Sequence, residues 1–212
     1  MTRRIGITQR VEDLPDRDER RDALDQAWTR LLVAADAQPV LIPNRLDDPE
    51  RYVRELALDG LVLTGGNDLA HLPGARTAAP ERDATERSLL ALAVAARLPV
   101  LGVCRGMQLL VEFWGGALTR VEGHVARSHE IVATHDTRWP LRPGPVNSFH
   151  DWGVQRVGVP DALTVLAVAP DDTVEAVMHA ELPQVGVMWH PERAPADPTD
   201  QELLQVLMGG AG

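Results

Sequence analysis

The stretch Pro99-Val100-Leu101-Gly102-Val103-Cys104-Arg105-Gly106-Met107-Gln108 constrains the fold more than any other part of the chain. An apolar run meets a Gly-x-Cys-x-Gly turn and continues in a helical pattern. A chain that turns this sharply from strand to helix needs flanking residues without a Cβ. The segment therefore predicts a strand at 99–103 and a helix at 105–114. It puts the only cysteine of the chain at the helix N-terminus. Free N–H groups and the helix dipole there favour a thiolate. Taken alone, the motif fits a buried core cysteine almost as well, so the rest of the chain decides.

Before the elbow the pattern alternates. Residues 4–8 read as a strand, 21–37 as an amphipathic helix with Leu24, Ala27, Trp28, Leu31 and Leu32 in phase, and 39–43 as a strand fenced by prolines. A short helix at 49–57, a buried strand at 60–64 and a strong helix at 81–97 follow. Such alternation predicts a parallel sheet covered on both faces. After the elbow helix the character changes. Segments near 118–121, 129–134, 163–168, 174–178 and 185–189 read as strands with little helix between them, and 200–208 reads as a last helix. The Pro-rich stretch 139–145 reads as a surface loop, and the charge run from Glu12 to Arg21 as a solvated face. The expected class is α/β: a mostly parallel central sheet flanked by helices, with a small antiparallel extension, in one domain over 1–212.

Composition removes several function classes. A net charge of −10 argues against nucleic-acid or anionic-membrane binding as the main task. One cysteine excludes a disulfide framework and a multi-cysteine zinc site, and fits a reducing, cytoplasmic compartment. The first residues lack the apolar run of a secretory leader, and no stretch is long and apolar enough to cross a bilayer. All 21 basic residues are arginine. The absence of lysine excludes Schiff-base chemistry and a P-loop; codon bias accounts for it most simply.

A cysteine nucleophile needs a base, and the base needs an orienting group. The apolar run Val185-Gly186-Val187-Met188-Trp189 leads straight into His190-Pro191-Glu192, which puts His190 at the C-terminal end of a buried strand. Open α/β sheets build their sites there. A His-x-Glu is more often a capping histidine beside a solvated glutamate. Next to a cysteine elbow it reads as a base held by a carboxylate. Gly65-Gly66-Asn67-Asp68 closes the strand at 60–64, where adjacent glycines let N–H groups approach a substrate oxygen. With the N–H of Arg105 they predict an oxyanion hole.

The elbow ending in Gln108, the late His-Pro-Glu and the earlier glycine turn together resemble the class I glutamine amidotransferase family. The order Cys…His…Glu separates it from α/β-hydrolases, in which the acid precedes the histidine. The resemblance implies a flavodoxin-like fold, Cys104, His190 and Glu192 as the catalytic triad, Gly66 and Arg105 as oxyanion donors, and Gln108 against the glutamyl group. Further motifs resemble the γ-glutamyl hydrolase branch, the peptidase C26 type. They are Gly6-Ile7-Thr8-Gln9-Arg10, Leu63-Thr64-Gly65-Gly66-Asn67-Asp68-Leu69, Arg82-Asp83-Ala84-Thr85-Glu86 and Val146-Asn147-Ser148-Phe149-His150. The resemblance puts Gly65, Asn67, Asn147, Ser148, Phe149, His150 and Arg10 around the substrate. It implies cysteine-dependent cleavage of a γ-glutamyl amide through a thioester, with no metal and no cofactor. The implied partner is a small γ-glutamyl substrate; a homodimer is compatible with this. The first-choice substrate is γ-glutamyl-CDP-amidate, releasing cytidine diphosphoramidate. A γ-glutamyl amine such as γ-glutamyl-GABA is the alternative. A glutaminase feeding ammonia to a separate synthetase is the third reading.

Weaker features stand beside these. His124, His129 and His135 are near one another in sequence, but their spacing matches no metal pattern; they read as surface or pocket residues rather than ligands. Trp114, Trp139 and Trp152 read as core or loop packing before they read as base-stacking platforms. Arg10, Arg105, Arg127 and Arg138 are candidates for a diphosphate, although ion-paired or solvated arginine is the commoner case.

Overall fold

A computed structural model describes residues 2–134, 139–141, 143–193 and 198–209. The chain runs through β1 (Arg3–Thr8), β2 (Arg10–Leu14), β3 (Glu19–Ala23), α1 (Gln26–Ala34), β4 (Ala37–Ile42), α2 (Pro49–Glu55), β5 (Gly60–Leu63), α3 (Pro80–Ala96), β6 (Val100–Val103) and α4 (Arg105–Phe113). It continues through β7 (Thr119–Arg120), β8 (Val125–Ala133), β9 (Gly144–Phe149), β10 (Trp152–Gly153), β11 (Leu163–Val168), β12 (Val174–His179), β13 (Gln184–Val187) and α5 (Pro198–Gly209).

Among the described residues, nine strands form one sheet in the order β4-β1-β5-β6-β13-β12-β11-β8-β9. The first five pair in parallel. From β13 onward every pairing is antiparallel. The sheet is therefore mixed, not mostly parallel, and its antiparallel part is no small extension. The reason lies in the connections. A parallel crossover needs a dozen or more residues, usually a helix, and no α-helix occurs in the described residues between α4 and α5.

Alternation along the strands sorts the core into two faces. Ile5, Ile7, Val62, Leu101, Val103, Val185 and Val187 face α1 and α5, against Trp28, Leu31, Leu32, Leu203, Leu204 and Leu207. Leu61, Leu63 and Val100 face the opposite way, against Leu89, Leu90 and Ala93 of α3 and Leu109 and Leu110 of α4. Helix α1 is shorter than its periodicity suggests. Asp25 caps it, accepting the Ala27 N–H at 2.8 Å, and the residues just before form a strand.

Three strands were hidden in the sequence. The charge run is a hairpin, β2–β3, whose cross-strand neighbours Glu12/Arg21 and Asp13/Arg20 carry opposite charge. The Pro-rich stretch leads into β9, which includes Pro145; as the sheet's edge strand it tolerates a residue without an N–H. No helix among the described residues is long and apolar enough to cross a membrane.

Candidate active site

The elbow exists as expected, and close packing sets its shape. Cys104 has φ 51° and ψ −107°, a left-handed conformation costing a non-glycine residue about 1–3 kcal/mol. Its N–H donates to the Val187 carbonyl at 2.8 Å, which ties the nucleophile candidate to the neighbouring strand β13. Helix α4 lies directly on the sheet. A Cβ on Gly106 would sit 2.0 Å from the Leu63 carbonyl oxygen, so no other residue fits there.

Val187 lies beside Val103 in the parallel β13–β6 pair. The two strands thus deliver His190 and Cys104 to the same edge. Asn147 fixes His190 from β9: its Nδ2 donates to the His190 carbonyl and its Oδ1 accepts the His190 N–H, both at 2.9 Å. Glu192 Oε1 lies 2.8 Å from His190 Nδ1, which leaves Nε2 for the thiol side. Gly65 lies against both partners. A Cβ there would be 2.7 Å from His190 Cε1 and 3.4 Å from Cys104 Cβ. Burial pulls the His190 imidazole down, but hydrogen bonds with Cys104 and Glu192 outweigh it and raise the group to about 9. An imidazolium between a carboxylate and a sulfur is the form that stabilises a thiolate.

The Gly65-Gly66 turn is held by Arg82, whose fully buried guanidinium donates to the carbonyls of Thr64 at 2.6 Å, Gly65 at 3.1 Å and Gly66 at 2.7 Å. A trans peptide sets its N–H opposite its C=O. With the Gly65 carbonyl on Arg82, the Gly66 N–H points away from Arg82. Arg82 also meets Glu86 at 2.9 Å. Glu86 and Asp83 in turn grip the buried Arg105 guanidinium. Two arginines and two carboxylates thus link the glycine turn to the first residue of α4, with their charges balanced. The Arg82-Asp83-x-x-Glu86 pattern is plain in the sequence, but this clamp is not.

The other expected site residues divide. Gln108 donates to the Trp152 carbonyl at 2.8 Å. Asn67 accepts from Val11 and donates to Val11 and Thr77 at 2.8–2.9 Å, bracing β2, and also accepts from Arg82 at 3.1 Å. Ser148 is buried and donates to the His124 carbonyl at 2.7 Å. Phe149 is half-exposed and meets the His190 ring edge-to-face at 5.7 Å, with the Arg193 guanidinium 4.2 Å above it. Arg10 lines the cleft beside Gly65, Gly66 and His190.

His150 is buried and points elsewhere. Its Nε2 lies 3.5 Å from Glu175 Oε1, where His124 Nδ1 and His129 Nε2 also converge at 3.4 and 3.3 Å. The spacing of His124 and His129 predicts unrelated surface or pocket residues; the structure instead groups them around a buried carboxylate. His135 and Arg138 lie outside the described residues. Arg105 is engaged by Asp83 and Glu86 and is not a diphosphate ligand. Trp114 donates to Gln184 at 2.9 Å and Trp139 is buried in the core, so both are packing residues. Trp152 carries the Arg120 guanidinium over its ring at 4.6 Å.

The sequence pattern of the peptidase C26 family matches residues 4–192. The chain belongs to that family, and its α/β architecture is of the class I glutamine amidotransferase type. It is 28% identical over 192 residues to a γ-glutamyl-CDP-amidate hydrolase of Campylobacter jejuni, covering 89% of this chain and 90% of the relative. It is 33% identical over 200 residues to a γ-glutamyl-γ-aminobutyrate hydrolase of Escherichia coli O157:H7, covering 80% and 78%. The solved structure of a glutamine amidotransferase from Thermotoga maritima superposes with a TM-score of 0.67 at 16% identity, over 91% of this chain and 77% of that one.

Proposed function

We propose that the chain is a cysteine-dependent hydrolase of small γ-glutamyl amides. The observation that carries this is the approach of Cys104 and His190 across the bare Cα of Gly65, with Glu192 Oε1 on His190 Nδ1. The Cys104 thiolate attacks the γ-carbonyl carbon, and the N–H groups of Gly66 and Arg105 receive the oxyanion. Imidazolium His190 gives its proton to the departing nitrogen, the C–N bond breaks, and a glutamyl thioester remains. Neutral His190 then takes a proton from water, whose oxygen attacks the thioester. The collapse expels the Cys104 thiolate beside imidazolium His190 and releases glutamate.

The leaving group is better read as an amine than as a nucleotide, the reverse of the order the motifs suggested. The cleft beside His190 contains two arginines, Arg10 and Arg193, against three carboxylates, Glu12, Asp25 and Glu192. With imidazolium His190 the lining is charge-balanced, which suits the single carboxylate of a γ-glutamyl-GABA leaving group better than a diphosphate. Relatives above 30% identity with broad coverage include γ-glutamyl-γ-aminobutyrate hydrolases. The nucleotide amidate is the second reading, supported by the near end-to-end match with the Campylobacter enzyme.

The test is glutamate release from γ-glutamyl-GABA, γ-glutamyl-CDP-amidate and glutamine, side by side, with Cys104→Ala as the blank. The expected order puts γ-glutamyl-GABA first, with the blank silent. Release by Cys104→Ala at the wild-type rate overturns the mechanism. Preference for the nucleotide amidate keeps the mechanism and exchanges the substrate.

A further inference from the structure

We propose that His124, His150 and Glu175 form a buried site for one divalent transition-metal ion, with Zn²⁺ the preferred occupant and His129 at its rim. The donor atoms are His124 Nδ1, His150 Nε2 and Glu175 Oε1; His129 Nε2 approaches Oε1 from the rim. Oε1 lies 3.3–3.5 Å from all three nitrogens. The ligand atoms of His124, His150 and Glu175 lie within 4.8 Å of one another. Glu175 is fully buried, and its two oxygens and the three facing nitrogens make no hydrogen bond. Tetrahedral Zn²⁺ with bonds near 2.1 Å sets donors about 3.4 Å apart, longer than a hydrogen bond and close to these N–O separations.

The outer contacts fix the tautomers. His150 Nδ1 faces the Trp152 carbonyl at 3.1 Å, an acceptor only, so Nδ1 carries the hydrogen. His124 Nε2 faces Asp171 Oδ2 at 2.9 Å and carries its hydrogen there. With the rings neutral, each lone pair points at the Glu175 carboxylate, the form in which imidazole holds a cation. Ring nitrogens of metal-bound histidines are oriented in this way by a carboxylate or carbonyl. Charge balances as well: a dication against Glu175 and Asp171 leaves no net charge.

The placement gives the ion a task. His124 and His129 belong to β8 and its approach, His150 follows β9, and Glu175 lies on β12. The His150 N–H donates to the His124 carbonyl at 3.0 Å, and the Met188 N–H to the Glu175 carbonyl at 2.8 Å. An ion here rivets the β8–β9 hairpin, which carries Asn147, to the strands that carry His190.

The experiment uses full-length protein with a Cys104→Ser background, so that the thiol cannot bind metal, and a purification tag that does not bind metal. Metal content after Zn²⁺ reconstitution and exhaustive dialysis is expected at one equivalent per chain. The Co²⁺ form is expected to show intense tetrahedral d–d bands. Zn²⁺ at a hundredfold excess over Kd raises Tm by about 5–10 °C. Glu175→Gln and His129→Ala each lower the affinity about tenfold or more. His129 lies at the rim of the cluster, so its variant keeps the test alive should Glu175→Gln fail to fold. Wild-type side chains that retain no metal and show no Tm shift overturn the proposal, as does a full equivalent kept by both variants. None of these readouts depends on glutamate release, so the metal site and the hydrolase reading fail separately.

Discussion

Replacing Gly65 by alanine probes the geometry of the site without touching any group that carries charge or a proton. The added methyl would stand 2.7 Å from His190 Cε1 and 3.4 Å from Cys104 Cβ. Carbon atoms rest at about 3.5 Å, so the imidazole has to recede by about 0.8 Å. It has little freedom to do so. Its backbone is gripped on both sides by Asn147, its Nδ1 is held at 2.8 Å by Glu192, and the Phe149 ring lies edge-to-face at 5.7 Å. Recession therefore opens the gap to sulfur. A misplacement of about 1 Å costs roughly a hundredfold in rate, and kcat for glutamate release is expected to fall by that order. Stability should change little. Gly65 has no positive φ, so alanine meets no backbone strain, and its gain of about 0.4–1 kcal/mol from the unfolded chain offsets part of the crowding. The assay is steady-state kinetics beside thermal unfolding. A kcat within threefold of wild type, in a protein of unchanged Tm, refutes the idea that Gly65 sets the Cys104–His190 distance.

Further outcomes follow from the contacts of His190 and Arg82. Because His190 is raised to about 9, the folded protein keeps a proton that the unfolded chain releases near pH 6.5. The resulting stability is fully present below pH 6.5 and lost as pH rises through 9, so Tm should decline across that window and decline less in His190→Asn. NMR titration of the His190 ring should show a lower midpoint in Glu192→Gln. Arg82→Lys replaces a planar fork that reaches three carbonyls with a point charge. Urea unfolding should register a loss of about 1–3 kcal/mol, the cost of leaving buried carbonyls of the turn without their donors. Glutamate release should fall further than alkylation of Cys104, because the clamp serves the oxyanion turn and not the thiol.

The parallel half of the fold was legible because each of its strands is a short apolar run followed by a helical repeat. The antiparallel half was underestimated. β9 carries a proline and begins inside a Pro-rich stretch, and β2–β3 is held by paired charges that leave no hydrophobic alternation to read. The candidate triad was legible because each member sits at the end of a buried strand. The roles of the 147–150 segment were not. Asn147 acts on backbone, Ser148 on a carbonyl and His150 on a carboxylate, contacts that join strands far apart in sequence. The Glu175 cluster escaped for the same reason, since its members at 124, 129, 150 and 175 meet only through strand pairing. Arg82 was visible as part of a motif, but nothing local to it indicates that its target is the turn at 64–66.

β13 is among the last strands made, yet it lies in the middle of the sheet between β6 and β12. The Cys104 N–H is bonded to it, and His190 follows directly from it. A nascent chain that has finished its elbow therefore holds an ordinary thiol. On the proposed mechanism the partner that charges that thiol, His190, arrives 86 residues later, by insertion of an interior strand. Long-range insertion of this kind is slow compared with helix formation. Reactivity is thus the last property the molecule acquires, and a sulfur exposed on a half-made sheet has no imidazolium beside it to make it a target for electrophiles in the surrounding medium.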